Sequence, residues 1–370
     1  MRIWQLDAVG SPSSVDGVAM VLWSLAVEQA RLGHEVTLFV RTPLTEEGRS
    51  LAADEGFRVV EAPRTRRGVS TRVVRAELRV QQPDVVHLHG GFYPTFAVAG
   101  FLLRRRRIPY VYSSHGALAP SVWLRRARLR AWYRKSIERP LAKGAAALIA
   151  VSDAEAAQMR ALVPGYAGEI AVVHPPVTPD VLTAPGWGGP GREAPLLFLG
   201  RYQPFQKGLD RLAQLARAAP DLRFECHGVA DEDDREAMAQ VIDSAPPNIT
   251  FGGPLYADEK LRSLAGASMM ITLSRSEGFP VSVAEAMALG VPCAIAESVA
   301  GFSADFTARR LGLVLPDDPE TAADCLRSAL TDAPSLREMA ARAREYAIEG
   351  CSPHLVARRV VAVYEGLVRF

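Results

Sequence analysis

The sequence predicts an α/β protein built as two doubly wound domains. Short apolar runs of strand length alternate with stretches of helical periodicity, the pattern of a parallel sheet covered by helices on both faces. The chain has 370 residues, more than one hydrophobic core ordinarily organises. Between residues 175 and 195 the alternation lapses into PPVTPDVLTAPGWGGPGREAP, rich in Pro and Gly and without periodicity, and then resumes.

The elements follow in order. RIWQLDAV reads as the first strand, and GVAMVLWSLAVEQARLG as a helix stopped at Gly33. HEVTLFVR, DVVHLHG, PYVYSSHG and AALIAVS are further strands, each followed by a helix candidate. After the Pro/Gly tract come APLLFLG, the helix GLDRLAQLARAAP, then LRFECHG, NITFGG, MMITLS, PCAIAE and LGLVL. Met269 and Met270 are read as core, and no fixed-period repeat is present. The expected boundaries are an N-terminal domain at 1–175 and a C-terminal domain at 176–352. A final helix at 353–370 is expected to pack back on the N-terminal domain.

Composition narrows the class. Hydrophobic residues at 48% and charged residues at 23% fit a globular protein that folds in water. MRIWQLDAV enters the first strand with no secretory leader, and Phe92 to Leu103, a charge-free run, is too short to span a bilayer. The four cysteines, Cys226, Cys293, Cys325 and Cys351, form no CxxC pair, which disfavours a zinc site or disulfide scaffold and suits a reducing cytoplasm. Residues 1–178 hold 24 basic and 15 acidic side chains, net +9, whereas the remainder holds 19 and 26, net −7. Such halves are suited to different partners.

Two stretches carry the chemistry. SRSEGFPVSVAEAMALGVP places Glu277 in a strand-to-helix loop and Glu285 inside a helix that starts near Pro280 and ends at Gly290. A helix N-terminus suits phosphate, and carboxylates accept hydrogen bonds from sugar hydroxyls, so together they fit a nucleotide sugar. The plain alternative makes Glu285 a solvated helix residue and Glu277 a loop cap. LLFLGRYQPFQKGLDRLAQLA places Arg201 after a strand and Lys207 before a helix, a guanidinium fork and an ammonium suited to a diphosphate. Two exposed loop cations are the alternative there.

These two motifs closely resemble those of retaining glycosyltransferases of the GT-B fold, more narrowly family four. GVAMVLWSLAVEQARLGHEVTLFVR resembles the family's first loop and helix, SSHGALAP its His-Gly segment and VVHPPV the turn before its second domain. The resemblance implies two Rossmann-like domains facing a cleft, the first binding acceptor and the second donor. It implies that Arg201 and Lys207 neutralise the donor diphosphate in place of a metal, that Glu277 contacts the donor sugar and that Glu285 binds ribose hydroxyls. Gly278, Phe279, Pro280, Val281 and Ser282 would line the donor, Gly17 would let backbone approach its phosphate, and His115 would face the reacting sugar. Transfer would retain the anomeric configuration, with no cofactor beyond the donor substrate. This chain departs from the family pattern in keeping one glycine, Gly17, in SPSSVDGVAM, in His174-Pro175-Pro176 at the turn, and in Pro280.

His87 and His89 are read as pointing to opposite faces of a strand, one packed and one exposed. The acidic run Asp231 to Asp234 is read as a solvated helix start rather than a metal site. Residues 104–143 hold twelve basic side chains and one acid, Glu138, with Trp123, Leu124, Trp132 and Tyr133 interleaved. A basic amphipathic helix of this kind suits an anionic membrane surface or a lipid-linked acceptor. The alternative is a solvated helix packed on the sheet; nucleic acid lacks a recognisable module.

The expectation is therefore a cytoplasmic hexosyltransferase, peripheral on the inner face of the cell membrane, that transfers from a nucleoside diphosphate sugar. The acceptor would be a saccharide, a lipid-linked saccharide or a natural-product aglycone. The rivals are a nucleotide-sugar epimerase of the same architecture and a non-catalytic nucleotide-sugar-binding protein at the membrane. No GxGxxG follows the first strand, which disfavours a dehydrogenase.

Overall fold

The computed structural model describes residues 1–14, 17–63, 68–119, 127–189, 194–300 and 304–368. The chain forms two compact units: Met1–Pro176 with Pro353–Phe370, and Val177–Ser352.

The first unit is a seven-stranded sheet of β1 (Arg2–Ala8), β2 (Glu35–Val40), β3 (Arg58–Glu61), β4 (Val85–His89), β5 (Tyr110–Ser113), β6 (Ala147–Ala150) and β7 (Glu169–Val172). Its order is β3-β2-β1-β4-β5-β6-β7, with every pairing parallel. Alternate residues feed cores on opposite faces. Trp4 and Leu6 pack with Phe39, Tyr110 and Tyr112, while Ile3 packs with Val111 and Ile149 and with Val356, Val360 and Tyr364 of the helix Pro353–Val368. The sequence reading omits β3 and β7. Both are edge strands with partly exposed residues, so neither needs the continuous apolar run that marks a strand buried on both faces.

The second unit is a six-stranded parallel sheet of β8 (Leu196–Leu199), β9 (Phe224–His227), β10 (Ile249–Gly252), β11 (Met269–Thr272), β12 (Cys293–Ala296) and β13 (Leu313–Leu315), ordered β10-β9-β8-β11-β12-β13. Met269 and Met270 are fully buried in it. The Pro/Gly tract is no free linker where the structure describes it. Val177 and Val181 enter the second core, a short helix spans Asp180–Thr183, and Trp187 Nε1 donates to Ala267 O at 2.8 Å. Apolar anchors spaced among prolines give no period, which is why the tract looks unstructured in sequence.

Both sheets reverse their direction of growth once. In the first the reversal falls between β1 and β4, in the second between β8 and β11. Loops at the carboxyl ends of such strands diverge and leave a crevice for ligands.

Candidate active site

In the second unit the loops after β8 and β11 flank the reversal, and they carry Arg201, Lys207 and Glu277. They are tied together. Arg275 N donates to Gln206 O at 2.8 Å, and the Arg275 guanidinium grips Asp210 through two bonds of 2.8 and 2.7 Å. Burial pushes the Asp210 carboxyl up, but this fork outweighs it and holds the group below its ordinary range. Gly208 has φ +66°, and a Cβ there would lie 2.0 Å from Leu273 O, so only glycine lets the two loops approach this closely.

On that frame Lys207 Nζ donates to both oxygens of Glu277, at 2.7 and 2.9 Å. Ser274 Oγ adds a bond to Glu277 Oε1 at 2.7 Å. Arg201 stands further out, half-exposed, with Asp231 Oδ2 at 3.6 Å. The acidic run is a solvated helix start, as the sequence reading has it, with none of its residues buried, and its first member also faces the loop guanidinium. Among the described residues no group of three or more His, Cys, Asp or Glu is arranged to hold a metal ion.

The helix Val281–Leu289 follows Pro280 and ends at Gly290, whose φ of +79° caps it. It is apolar nearly all round and buried throughout its last seven residues. Glu285 is therefore no solvated helix residue. It is 3% exposed, and Oε1 accepts from Lys260 Nζ at 2.7 Å and from Thr178 Oγ1 at 3.0 Å. Lys260 lies on the helix Ala257–Gly266. Sequence reasoning missed it, because a lysine on a polar helix face has no local mark of a partner 25 residues away. The amides of Val281 and Val283 are already bonded, to Phe279 O and Pro280 O, at 3.1 and 3.0 Å.

Gly17 and His115 belong to the first unit. Gly17 opens the helix Gly17–Arg31, and a Cβ there would meet nothing within 4 Å, so packing inside the chain does not demand glycine. Val15 and Asp16 of the preceding loop lie outside the described residues. His115 follows β5 at φ +50°, a strained value for a non-glycine residue, and Gly116 continues at φ +80°.

A buried carboxylate holds the residues on either side of His115. Glu155, on the helix Asp153–Leu162, accepts from Ser114 Oγ at 2.5 Å and Gly116 N at 2.6 Å through Oε1, and from Val151 N at 2.7 Å through Oε2. Burial pushes its carboxyl above the ordinary range, and the three donors pull the other way. His115 Nε2 also lies 2.9 Å from His89 Nδ1.

His87 and His89 share a face, with ring centroids 3.7 Å apart and both residues about 1% exposed. The expectation of opposite faces fails because residues two apart on a strand project to the same side. Burial holds both imidazoles well below their ordinary pKa.

Residues 15–181 match the family model for Glycosyltransferase Family 4, and residues 193–332 match that for Glycosyl transferases group 1. A D-inositol 3-phosphate glycosyltransferase of a Nocardioides species is 30% identical, over 97% of this chain and 87% of that protein. A GDP-mannose-dependent alpha-mannosyltransferase of Mycobacterium tuberculosis is 29% identical, over 82% of this chain and 80% of that protein. The fold is similar to that of Anabaena Alr3699/HepE, solved with UDP and glucose, with a TM-score of 0.70, 16% identity and coverage of 100% of this chain and 99% of that one. Two parallel sheets of seven and six strands, the paired motifs at the second reversal point and these matches lead to one assignment: the chain belongs to the family-four, group 1 glycosyltransferases of GT-B fold.

Proposed function

We propose that the protein moves a hexose-like unit from a nucleoside diphosphate sugar to an acceptor hydroxyl, with retention and without a metal. The observation that carries this reading is the set of cations and carboxylates around the β8/β11 reversal, Arg201, Lys207, Glu277 and Glu285. The bond between the anomeric carbon and the phosphate oxygen breaks as the acceptor oxygen attacks from the same side. The acceptor's proton passes to the departing phosphate oxygen. Negative charge grows on the diphosphate, and Arg201 and Lys207 stabilise it. Glu277 and Glu285, each already ordered by a lysine, accept from hydroxyls of the sugar and the ribose. Glu277 is engaged through both oxygens, which suits a hydroxyl acceptor better than a nucleophile. Gly17 leaves space for phosphate, and the family resemblance assigns His115 to the transferred sugar.

The relatives' names support the donor class: one uses GDP-mannose, and the Anabaena protein was solved with UDP. An inositol phosphate acceptor in another relative makes a small polyol or saccharide a natural first acceptor to try. The deciding experiment screens UDP-, GDP-, ADP- and dTDP-sugars for transfer and for donor hydrolysis, with the product anomer read by NMR. Inversion at the anomeric carbon, or isomerised donor without transfer, would replace this reading with one of its rivals.

A peripheral membrane role is a second reading, favoured by a specific surface. Val98 and Phe101 on the helix Pro94–Arg105, and Leu129 and Trp132 on the helix Ala127–Tyr133, are about half exposed among arginines. The Arg105 guanidinium lies over the Phe101 ring at 5.7 Å. Further along the segment Glu138, Leu141 and Ala142 are buried, and Tyr112 OH donates to Glu138, while Lys135, Arg139 and Lys143 stay exposed. Trp123 and Leu124 lie outside the described residues.

A further inference from the structure

The first unit contains a hydrogen-bonded relay that begins on the C-terminal helix and ends on His115. Gln5 Nε2 donates to Gln29 Oε1 at 2.8 Å and to Tyr364 OH at 3.1 Å. Its carbonyl oxygen therefore faces the other way and meets His89 Nε2 at 2.6 Å. A carbonyl oxygen only accepts, so His89 carries its proton on Nε2. Burial and the neighbouring histidines hold His89 neutral, which leaves Nδ1 as a bare acceptor. His115 Nε2, 2.9 Å from that atom, must then be the donor.

The second branch is compatible with this. Tyr364 OH accepts from Gln5 and lies 2.7 Å from His87 Nδ1, and His87 Nε2 lies 2.8 Å from Ser113 Oγ; with the Tyr364 hydrogen directed to His87 Nδ1, His87 donates to Ser113. Gln5, Gln29, His87, His89 and Tyr364 are all at most about 1% exposed, so bulk water does not compete for these bonds.

We propose that His89 is a positioning residue for the transfer reaction: Gln5, set by Gln29 and Tyr364, fixes its protonation, and its Nδ1 lone pair holds the His115 imidazole with Nε2 as donor. The C-terminal helix is thereby part of the reactive apparatus and not only a cover on the sheet. The catalytic half of the proposal rests on the assignment of His115 to the transferred sugar. The protonation pattern does not.

The test uses the full chain with 15N-labelled histidine and long-range proton–nitrogen correlation near pH 8. The seven histidines are assigned by single substitutions. The expected spectrum shows His89 and His115 both protonated at Nε2. A proton on His89 Nδ1 reverses the relay and overturns the proposal without any variant. The functional arm compares His89→Leu with His89→Gln, whose amide keeps one donor and one acceptor. Loss of kcat of about tenfold or more in the leucine variant, substantial recovery in the glutamine variant and a nearly unchanged donor KM are expected. The His115 signals should move in His89→Leu and not in a surface control such as His354→Gln. If His115→Ala lowers kcat while folded His89→Leu does not, the relay has no catalytic part. If His115→Ala is itself silent, the sugar assignment fails, and the spectrum alone decides the protonation pattern.

Discussion

Lys207 Nζ sits between the two oxygens of Glu277, at 2.7 and 2.9 Å, with the lysine side chain 18% and the glutamate side chain 9% exposed. Two motifs 70 residues apart in sequence are thus one ion pair, and a diphosphate that recruits Lys207 must share it with Glu277. In the proposed reaction Lys207→Ala removes charge from the leaving-group side, so kcat should fall about a hundredfold or more. The same substitution strands a largely buried carboxylate and should lower stability by about 1–3 kcal/mol. Urea unfolding of Lys207→Ala, Glu277→Ala and the double variant checks the pair: strict additivity would contradict a direct interaction.

Lys260 and Thr178 both bond Glu285 Oε1, which leaves Oε2 for a ribose hydroxyl in the proposed reaction. Lys260→Met should raise the donor KM about tenfold with a smaller change in kcat, because the ribose contact exists before and during transfer. Steady-state kinetics with varied donor decides it. A fall confined to kcat places Lys260 at the reacting centre instead.

Glu155 brackets His115 by holding Ser114 and Gly116. In Glu155→Gln the amide nitrogen cannot accept, so at least one of three donors loses its partner, at a cost of about 1–3 kcal/mol. Burial raises the folded-state pKa above the ordinary 4.5, so ionising Glu155 costs stability as pH rises from there through the folded value. The glutamine variant should therefore lose relatively less stability than wild type over that rise. Parallel stability–pH curves for the two proteins would show that Glu155 does not titrate in the fold.

His87 has the opposite linkage. Its folded pKa is depressed by burial, so the unfolded state binds the extra proton and stability declines as pH falls below the ordinary 6.5. Relative to wild type, His87→Gln should remove up to about 1.4 kcal/mol per pH unit from that decline. Denaturant unfolding between pH 7.5 and 5.5 measures the difference, and contributions from Glu138 and Glu155 cancel in it. An unchanged slope means the imidazole is protonated where it is buried.

The exposed Phe101 and Trp132, set among arginines, predict sedimentation with vesicles rich in phosphatidylglycerol, weakening as salt rises. Phe101→Ser with Trp132→Ser should reduce binding about tenfold or more, since roughly half of the 150–250 Å² that an aromatic side chain can bury is still open on each. Equal pelleting with neutral vesicles, or none with either, ends the membrane reading.

Much of this was legible in the chain itself. Strand–helix alternation marks eleven of the thirteen strands among the described residues, because a strand covered on both faces must be apolar along its length. The loops that bear Arg201, Lys207 and Glu277 are also local facts: a strand end, a helix after Gly208 and a helix after Pro280. What the sequence could not supply is which distant side chains meet. Lys260 reaches Glu285, Asp231 reaches Arg201, Glu155 reaches the His115 loop and Tyr364 reaches Gln5 across 359 positions. Periodicity and propensity are set by neighbours a few residues away, so they read directly from order along the chain. Pairing of buried charges and amides is set by sheet order and register, and those exist only after the strands have assembled.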